Sequence, residues 1–251
     1  MFFWYMMTPY MTYRWLLIAA AIIPAIVLLV KVYRSDKLEK ESPIFIVRLV
    51  ISGIISTFFA LISERLFSAI LNRTVEYGTT LYNVILYFFI VAISEELAKY
   101  VLLRKRTWNN PEFNCQFDGV VYAVAVSLGF ALWENISYVT MYGFGTALLR
   151  AVTAIPGHAC FGVFMGVFYG LAKSNDYIGN KSLSSFYNVM AVVVPVLLHG
   201  AYDYIASMET TSSSSWYFIV FVLILFVVSL ILVSRMSKND RYITRSYMNF
   251  R

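Results

Sequence analysis

Two adjacent glutamates and a lysine lie inside an apolar stretch of the sequence that is long enough to cross a membrane. Glu95, Glu96 and Lys99 fall within residues 82–103, and the half of that stretch that precedes them is almost entirely apolar. A charged side chain at the centre of a membrane helix costs about 2.5–3.5 kcal/mol, so such residues are rare and usually mark function. Carboxylates in an apolar site can activate water or relay protons, and we take this pair as the centre of a candidate site.

Further ionisable residues lie at membrane depth in three later apolar stretches. Five of the whole set are formally charged and, left unpaired, would together cost roughly 12–17 kcal/mol. That cost equals or exceeds the total stability of a typical domain, about 5–15 kcal/mol. We therefore expect these side chains to face one another, or water, inside a helix bundle. The later members of the set are Glu134, His158, His199 and Asp203.

The composition is typical of a protein that crosses the membrane several times. The 251 residues are 60% hydrophobic and only 14% charged, whereas about 25% of the residues in a soluble domain are charged. The net charge of +6 is explained by basic loops at the membrane surface, and no basic run carries the pattern of a nucleic-acid surface. Cys115 and Cys160 have neither disulfide-like nor metal-like spacing.

The order of apolar segments predicts an all-α, polytopic transmembrane helix bundle of about seven spans. We expect the first span to be retained, because no cleavable signal-peptide signature follows it. Residues 1–81 are interpreted as a two-span accessory region, 82–207 as a catalytic four-helix core, and 208–251 as a final span with a basic cytoplasmic tail. The predicted spans cover residues 15–33, 44–70, 82–103, 117–142, 146–172, 186–207 and 216–233.

The distribution of lysine and arginine predicts the orientation of these spans. Most basic residues fall in the loops after spans one, three and five and in the C-terminal tail. Because basic loops are retained on the cytoplasmic side, we expect the C-terminus in the cytoplasm and the N-terminus outside. The expected location is the plasma membrane of a bacterium or archaeon.

Helical spacing allows the polar residues to converge. Glu95 and Lys99 are four residues apart, as are Phe130 and Glu134. His199 and Asp203 share this spacing, so each pair lies on one face of its helix. Each group falls in the middle region of its predicted span, and four helices can contribute to one polar cluster.

These motifs, in this order on successive spans, resemble the PrsW family of intramembrane proteases, which is related to the CAAX prenyl endopeptidases and the Abi group. The resemblance covers about residues 82–206. The CAAX-type pattern expects EExxxR and FxxxH, whereas here Lys99 sits one position earlier than that arginine and Glu134 replaces that histidine. The resemblance implies cleavage of a single-pass membrane protein, an anti-sigma factor in the PrsW case. The matching motifs are EExxK at Glu95, Glu96 and Lys99, FxxxE at Phe130 and Glu134, an isolated His158, and HxxxD at His199 and Asp203.

Peptide hydrolysis in an apolar site needs a base for water, donors for the oxyanion and an acid for the leaving amine. No serine or cysteine forms a recognisable nucleophile motif with a histidine, which favours direct attack by water. We expect Glu95 to be the base and Glu96 the acid or a positioning group. His158 and His199 would orient water and stabilise the oxyanion, and Glu134 would share the water with Glu95. Lys99, Phe130 and Asp203 are the supporting residues.

Three alternatives stay open from the sequence. Zinc could be held by His158, His199 and Glu134, although the strongest zinc motif, HExxH, is absent, so we expect no cofactor. Membrane-embedded acids and histidines also build proton-coupled transporters. A non-catalytic, Abi-like immunity or interaction protein could use the same scaffold. The expected partners are the lipid bilayer and a single-pass membrane substrate, with no nucleic acid; the sequence does not determine the oligomeric state.

Overall fold

The computed structural model describes residues 2–208 and 212–243, and this part of the chain is helical with no β-strand. The end of the predicted basic tail, including Arg245 and Arg251, lies outside the described residues. A π-helical segment at Ile85–Val91 joins α3 to α4. The α-helices are α1 (Phe2–Ser35), α2 (Pro43–Thr74), α3 (Thr80–Val84), α4 (Ala92–Thr107), α5 (Asp118–Tyr142), α6 (Phe144–Val152), α7 (Ala154–Tyr177), α8 (Lys181–Ala206) and α9 (Ser212–Lys238).

Among the described residues, six helical stretches are long and apolar enough to cross a membrane, which confirms the predicted polytopic all-α bundle. One of them combines α6 and α7, and the others are α1, α2, α5, α8 and α9. The remaining predicted span, residues 82–103, lies within the continuous helical run formed by α3, the π-helical segment and α4. This run is the one that carries the two adjacent glutamates.

Helix α5 is the central element of the bundle. Each of its residues from Asp118 to Ala131 is buried, as expected for a helix that is apolar on all sides and surrounded by other helices. It contacts α1, α2, α4, α6 and α7. The polar end of α5 carries Glu134, which is therefore held at a fixed position relative to five neighbouring helices.

A stripe of glycines brings α7 into close contact with α5. Gly162, Gly166 and Gly170 are spaced four residues apart, and His158 occupies the next position of the same stripe. A Cβ atom at Gly166 would collide with the backbone of Gly119 and Val120 of α5. Small residues at such positions let membrane helices approach closely and pack through van der Waals contacts. The stripe therefore directs His158 towards α5.

The π-helical segment sets the direction of the glutamates that follow it. Its hydrogen bonds connect residues five apart, and the last one joins the amide of Ala92 to the carbonyl of Tyr87. Segments of this kind are rare and occur frequently at functional sites. Tyr87, Val91 and Glu95 line one cavity, so the segment aligns one of the glutamates with the apolar wall that precedes it.

The contact between α5 and α7 can be tested by adding a single methyl group. Gly166→Ala should lower the free energy of unfolding by about 1–3 kcal/mol, because the added Cβ meets backbone that cannot rotate away. Thermal unfolding of the detergent-solubilised protein measures this change. Gly145→Ala is the matched control, because nothing lies within 4 Å of a Cβ at Gly145. Equal stability of the two variants would contradict the close packing described here.

Candidate active site

A cavity of about 440 Å³ lies among α2, the π-helical segment, α4, α5, α6, α7 and α8. Six of the eight residues that the sequence singled out line its wall. The remaining two, Glu96 and Lys99, are completely buried behind the wall. The structure therefore brings all eight predicted residues to one place. The six wall residues are Glu95, Phe130, Glu134, His158, His199 and Asp203.

The ammonium group of Lys99 connects the two glutamates to the histidine of α7. Its Nζ atom is 2.7 Å from Glu96 Oε1 and 3.3 Å from Glu95 Oε2. It also lies 3.2 Å from His158 Nδ1 and 4.0 Å from the centre of the Phe130 ring. Lys99 does not extend to the membrane surface, and its charge is balanced inside the protein. A buried charge needs such a set of partners, because its desolvation penalty is several kcal/mol.

The hydrogen bonds of His158 determine which ring nitrogen carries the proton. An ammonium group has only protons to donate, so His158 Nδ1 accepts from Lys99. The opposite nitrogen, Nε2, then donates to Glu134 Oε2 at 2.8 Å. Arg150 Nη2 lies 2.9 Å from the same carboxylate oxygen. Glu134 is thus held from two sides, and its carboxylate fixes the orientation of the imidazole.

His199 is held between carboxylates on two helices. Its Nδ1 atom is 2.9 Å from Glu96 Oε1, and its Nε2 atom is 3.3 Å from Asp203 Oδ2. The Nε2 atom also lies 3.8 Å from Glu95 Oε2. The ring of Phe161 stacks on the imidazole with 4.7 Å between ring centres. These contacts hold the imidazole beside Glu95 with Nε2 directed towards the carboxylates of the cavity wall.

Four of these residues are close enough to be considered as metal ligands. One ligand atom each from Glu95, Glu96, His158 and His199 lies within 4.8 Å of the others, and Glu134 does not belong to this group. Of the zinc ligands predicted from the sequence, only the two histidines belong to this group. All four ring nitrogens, however, already face Lys99 or a carboxylate oxygen. Binding of zinc by these four residues would require Lys99 to leave His158 Nδ1 and the two histidines to exchange contacts with carboxylates for contacts with the metal.

The sequence patterns did not single out two residues that belong to the surroundings of the site. Asn135 is completely buried; it accepts from Arg150 Nε at 3.0 Å and donates to the carbonyl of Ala21 in α1 at 3.1 Å. Glu64 of α2 lines the cavity, but it lies near the end of its predicted span beside Arg65, where it resembles an interfacial charge. Thr57, Leu61 and Glu64 line the same wall. Their spacing of four and three residues places them on one face of α2, and this spacing was the sequence signal that could have identified Glu64.

Comparison with known proteins shows the family. The sequence model described as PrsW family intramembrane metalloprotease matches residues 41–232. This chain belongs to the PrsW family of intramembrane proteases. It is 32% identical over 224 residues to Protease PrsW of Oceanobacillus iheyensis, covering 89% of this chain and 97% of that protein. It is also 32% identical over 205 residues to Protease PrsW of Bacillus subtilis, covering 80% and 85% of the two chains.

Membership of the PrsW family confirms the resemblance inferred from the motifs and the interpretation of the chain as an enzyme. The chain is an intramembrane protease and a multi-pass integral membrane protein, and its PrsW relatives are bacterial. No solved structure matches the chain. The geometry described above is therefore the basis for assigning roles to individual residues of this PrsW protease.

Removing the charge of Lys99 tests whether it holds the PrsW site together. Lys99→Met leaves the buried Glu96 without its cation, and we expect the free energy of unfolding to fall by about 3–5 kcal/mol. Denaturation in mixed detergent micelles measures this loss. In the double variant Lys99→Met/Glu96→Gln the uncompensated carboxylate is removed, so part of the stability should return. A single variant as stable as the wild type would show that the lysine is not a required counter-charge.

Proposed function

We propose that this PrsW protease hydrolyses a peptide bond of a single-pass membrane protein, of the anti-sigma-factor type, with water activated by Glu95 and without a metal ion. The observation that carries the proposal is the position of Glu95. Its carboxylate lines the cavity, while Lys99 contacts it from the buried side. A water molecule in the cavity can therefore reach a carboxylate whose other contacts are fixed by the protein.

In the proposed reaction, Glu95 takes a proton from water as the water oxygen attacks the carbonyl carbon of the scissile bond. The carbonyl oxygen becomes an oxyanion, and the Nε2–H group of His199 donates to it. When the C–N bond breaks, Glu95 returns the proton to the leaving nitrogen. Water thus supplies the hydroxyl group of the new acid and the proton of the new amine, and the carboxylate is regenerated. Positioned groups of this kind each contribute about 10²–10⁴-fold to the rate.

The remaining residues act as positioning groups in this scheme. Glu96 is buried behind the cavity wall, where it contacts both Lys99 and His199. It therefore holds the cation and the imidazole in place and does not touch the substrate. Glu134 does the same for His158 from the opposite side. Of the two roles expected for Glu96, acid or positioning group, this scheme uses the second, and Glu134, expected to share the water, orients His158 from the cavity wall.

The metal-free form of the reaction rests on the lysine. Lys99 places one positive charge within 3.3 Å of both adjacent carboxylates. A bound metal ion would have the same electrostatic role. A divalent ion bound to the same carboxylates would be repelled by this ammonium group. Zinc, when bound to such a set, polarises a carbonyl and lowers the pKa of a bound water, and the proposed reaction assigns activation of the water to Glu95 instead.

The cavity lies towards one end of the bundle. Glu134 and Asp203 are near the C-terminal ends of α5 and α8, and His158 is near the start of α7. With the orientation proposed from the basic loops, these ends face outward. We infer that the substrate is cut in the outer half of the membrane, where its chain leaves the helical conformation and the scissile bond becomes accessible.

Replacing the base tests the proposed chemistry. In Glu95→Gln the shape of the side chain is kept but its carboxylate is lost, and we expect fragment yield to fall at least about 100-fold. The measurement compares new peptide termini, by mass spectrometry, in membranes of cells that produce either enzyme. Glu76→Gln changes an exposed loop carboxylate and should leave the yield unchanged. Full activity of Glu95→Gln would end the glutamate mechanism.

Metal dependence is tested on the purified enzyme in proteoliposomes. After exhaustive treatment with EDTA and 1,10-phenanthroline, we expect the cleavage rate to be retained, because the proposed reaction uses only side chains and water. Elemental analysis of the same sample should find zinc well below one ion per chain. Loss of activity that added zinc restores would instead show that the enzyme needs zinc and would overturn the metal-free reaction.

A further inference from the structure

We propose that Glu64 is a specificity residue that binds a basic side chain of the substrate close to the scissile bond. The inference rests on the proposed function, since it concerns the substrate of that same cavity. Glu64 belongs to α2, in the region interpreted from the sequence as accessory, and none of the family-like motifs includes it. Its carboxylate nevertheless lines the cavity that contains Glu95.

The position of Glu64 is fixed by close packing of α2 against α5. A Cβ atom at Gly53 would collide with the backbone of Val126, and one at Gly129 would collide with the backbone of Val50. Further along the same pair of helices, the rings of Phe58 and Trp133 lie 5.2 Å apart between centres. Thr57 and Trp133, beside this contact, line the cavity, and Glu64 lies on the same wall two helical turns after Thr57. Close packing of α2 on α5 therefore positions the helix that carries Glu64 at the cavity wall.

The carboxylates of the cavity wall differ in whether a protein cation or imidazole already contacts them. Glu95 contacts Lys99, Glu134 contacts Arg150, and Asp203 contacts His199. Glu64 has no hydrogen-bond or ion-pair partner among the described residues. The wall displays four carboxylates and a single guanidinium group, from Arg150. An ionised carboxylate that loses water when substrate enters is stabilised if the substrate supplies a cation.

The aromatic rings of the same wall also favour a cation. Tyr87, Trp133 and Phe161 line the cavity together with Phe130, and cations are attracted to the faces of such rings. The cavity already binds one guanidinium in this way. Arg150 pairs with Glu134 and lies 4.1 Å from the centre of the Tyr138 ring. A lysine or arginine of the substrate would find the same two kinds of partner in this cavity, a carboxylate at Glu64 and aromatic rings elsewhere on the wall.

The size of the cavity limits where the basic residue can be. A roughly spherical cavity of about 440 Å³ is on the order of 10 Å across, a distance that about three residues of extended chain span at about 3.3 Å each. We therefore expect lysine or arginine within about three residues of the cut. The apolar remainder of the wall would contact the neighbouring side chains of the substrate.

The experiment maps cut sites in membranes from cells that produce the wild type, Glu64→Gln, Glu64→Asp or Glu76→Gln, with Glu95→Gln as the inactive reference. We expect basic residues to be enriched near wild-type cuts, and the enrichment to fall about tenfold or more in Glu64→Gln. Glu64→Asp keeps the charge and should keep a preference for basic residues. The Glu76→Gln control carries the same chemical change at an exposed loop and should match the wild type.

A single-pass model substrate then measures the preference directly. Its transmembrane segment is a Leu-Ala helix into which a natural cut sequence is placed, with the basic residue present as lysine or replaced by glutamine. The kcat/KM for the lysine substrate divided by that for the glutamine substrate should be well above one in the wild type and approach one in Glu64→Gln. Total fragment yield alone would not distinguish specificity from a general defect, whereas this ratio does.

The outcomes separate failure of the role of Glu64 from failure of the proposed hydrolysis. If the wild type produces no cuts beyond those of Glu95→Gln, the proposed hydrolysis fails, and the role of Glu64 fails with it. If cuts appear but carry no basic-residue preference, or if Glu64→Gln keeps the wild-type preference, only the role of Glu64 is overturned. A preference that is lost in both Glu64→Gln and Glu76→Gln would also overturn it.

Discussion

The site depends on the compensation of charge in a medium that does not solvate it. Lys99 is completely buried, and its ammonium group is surrounded by two carboxylates, an imidazole and an aromatic ring. In an interior of low effective dielectric constant, each of these contacts is stronger than in water, and each missing contact is more costly. The lysine therefore does more than neutralise a glutamate. Glu95, Glu96 and His158 take the place of water around its ammonium group, so the charge of Lys99 determines where all three side chains lie.

Close backbone contacts make this compensation possible. The glycines of α7 and the paired glycines of α2 and α5 allow three helices to approach until their backbones touch. Side chains that extend from such helices have little freedom to move apart, so the polar atoms stay within hydrogen-bond distance. Van der Waals packing of small residues, which is the main source of helix association in membranes, thus determines the electrostatics of the cavity. Asn135 extends the same constraint to α1.

The bundle, its spans and the convergence of eight named residues could be predicted from the sequence, because charges in apolar segments must be paired. The partners themselves could not. Four-residue spacing places His199 beside Asp203, but only the packing of α4 on α8 brings it to Glu96. Spacing also gave no indication that Lys99 reaches His158 across the bundle. Glu64 was overlooked because a carboxylate near the end of a span is usually solvated there, and the cavity that reaches it is a property of the assembled helices.

The π-helical segment must contain a fixed number of residues. Successive residues of a helix are about 100° apart around its axis, and the segment at Ile85–Val91 closes wider rings than the α-helices that flank it. The number of residues in this segment is constrained independently of their identity, because one residue fewer would rotate Glu95 away from the cavity while leaving the EExxK motif intact. In this stretch, a gap in an alignment would therefore be more informative about lost activity than any single substitution.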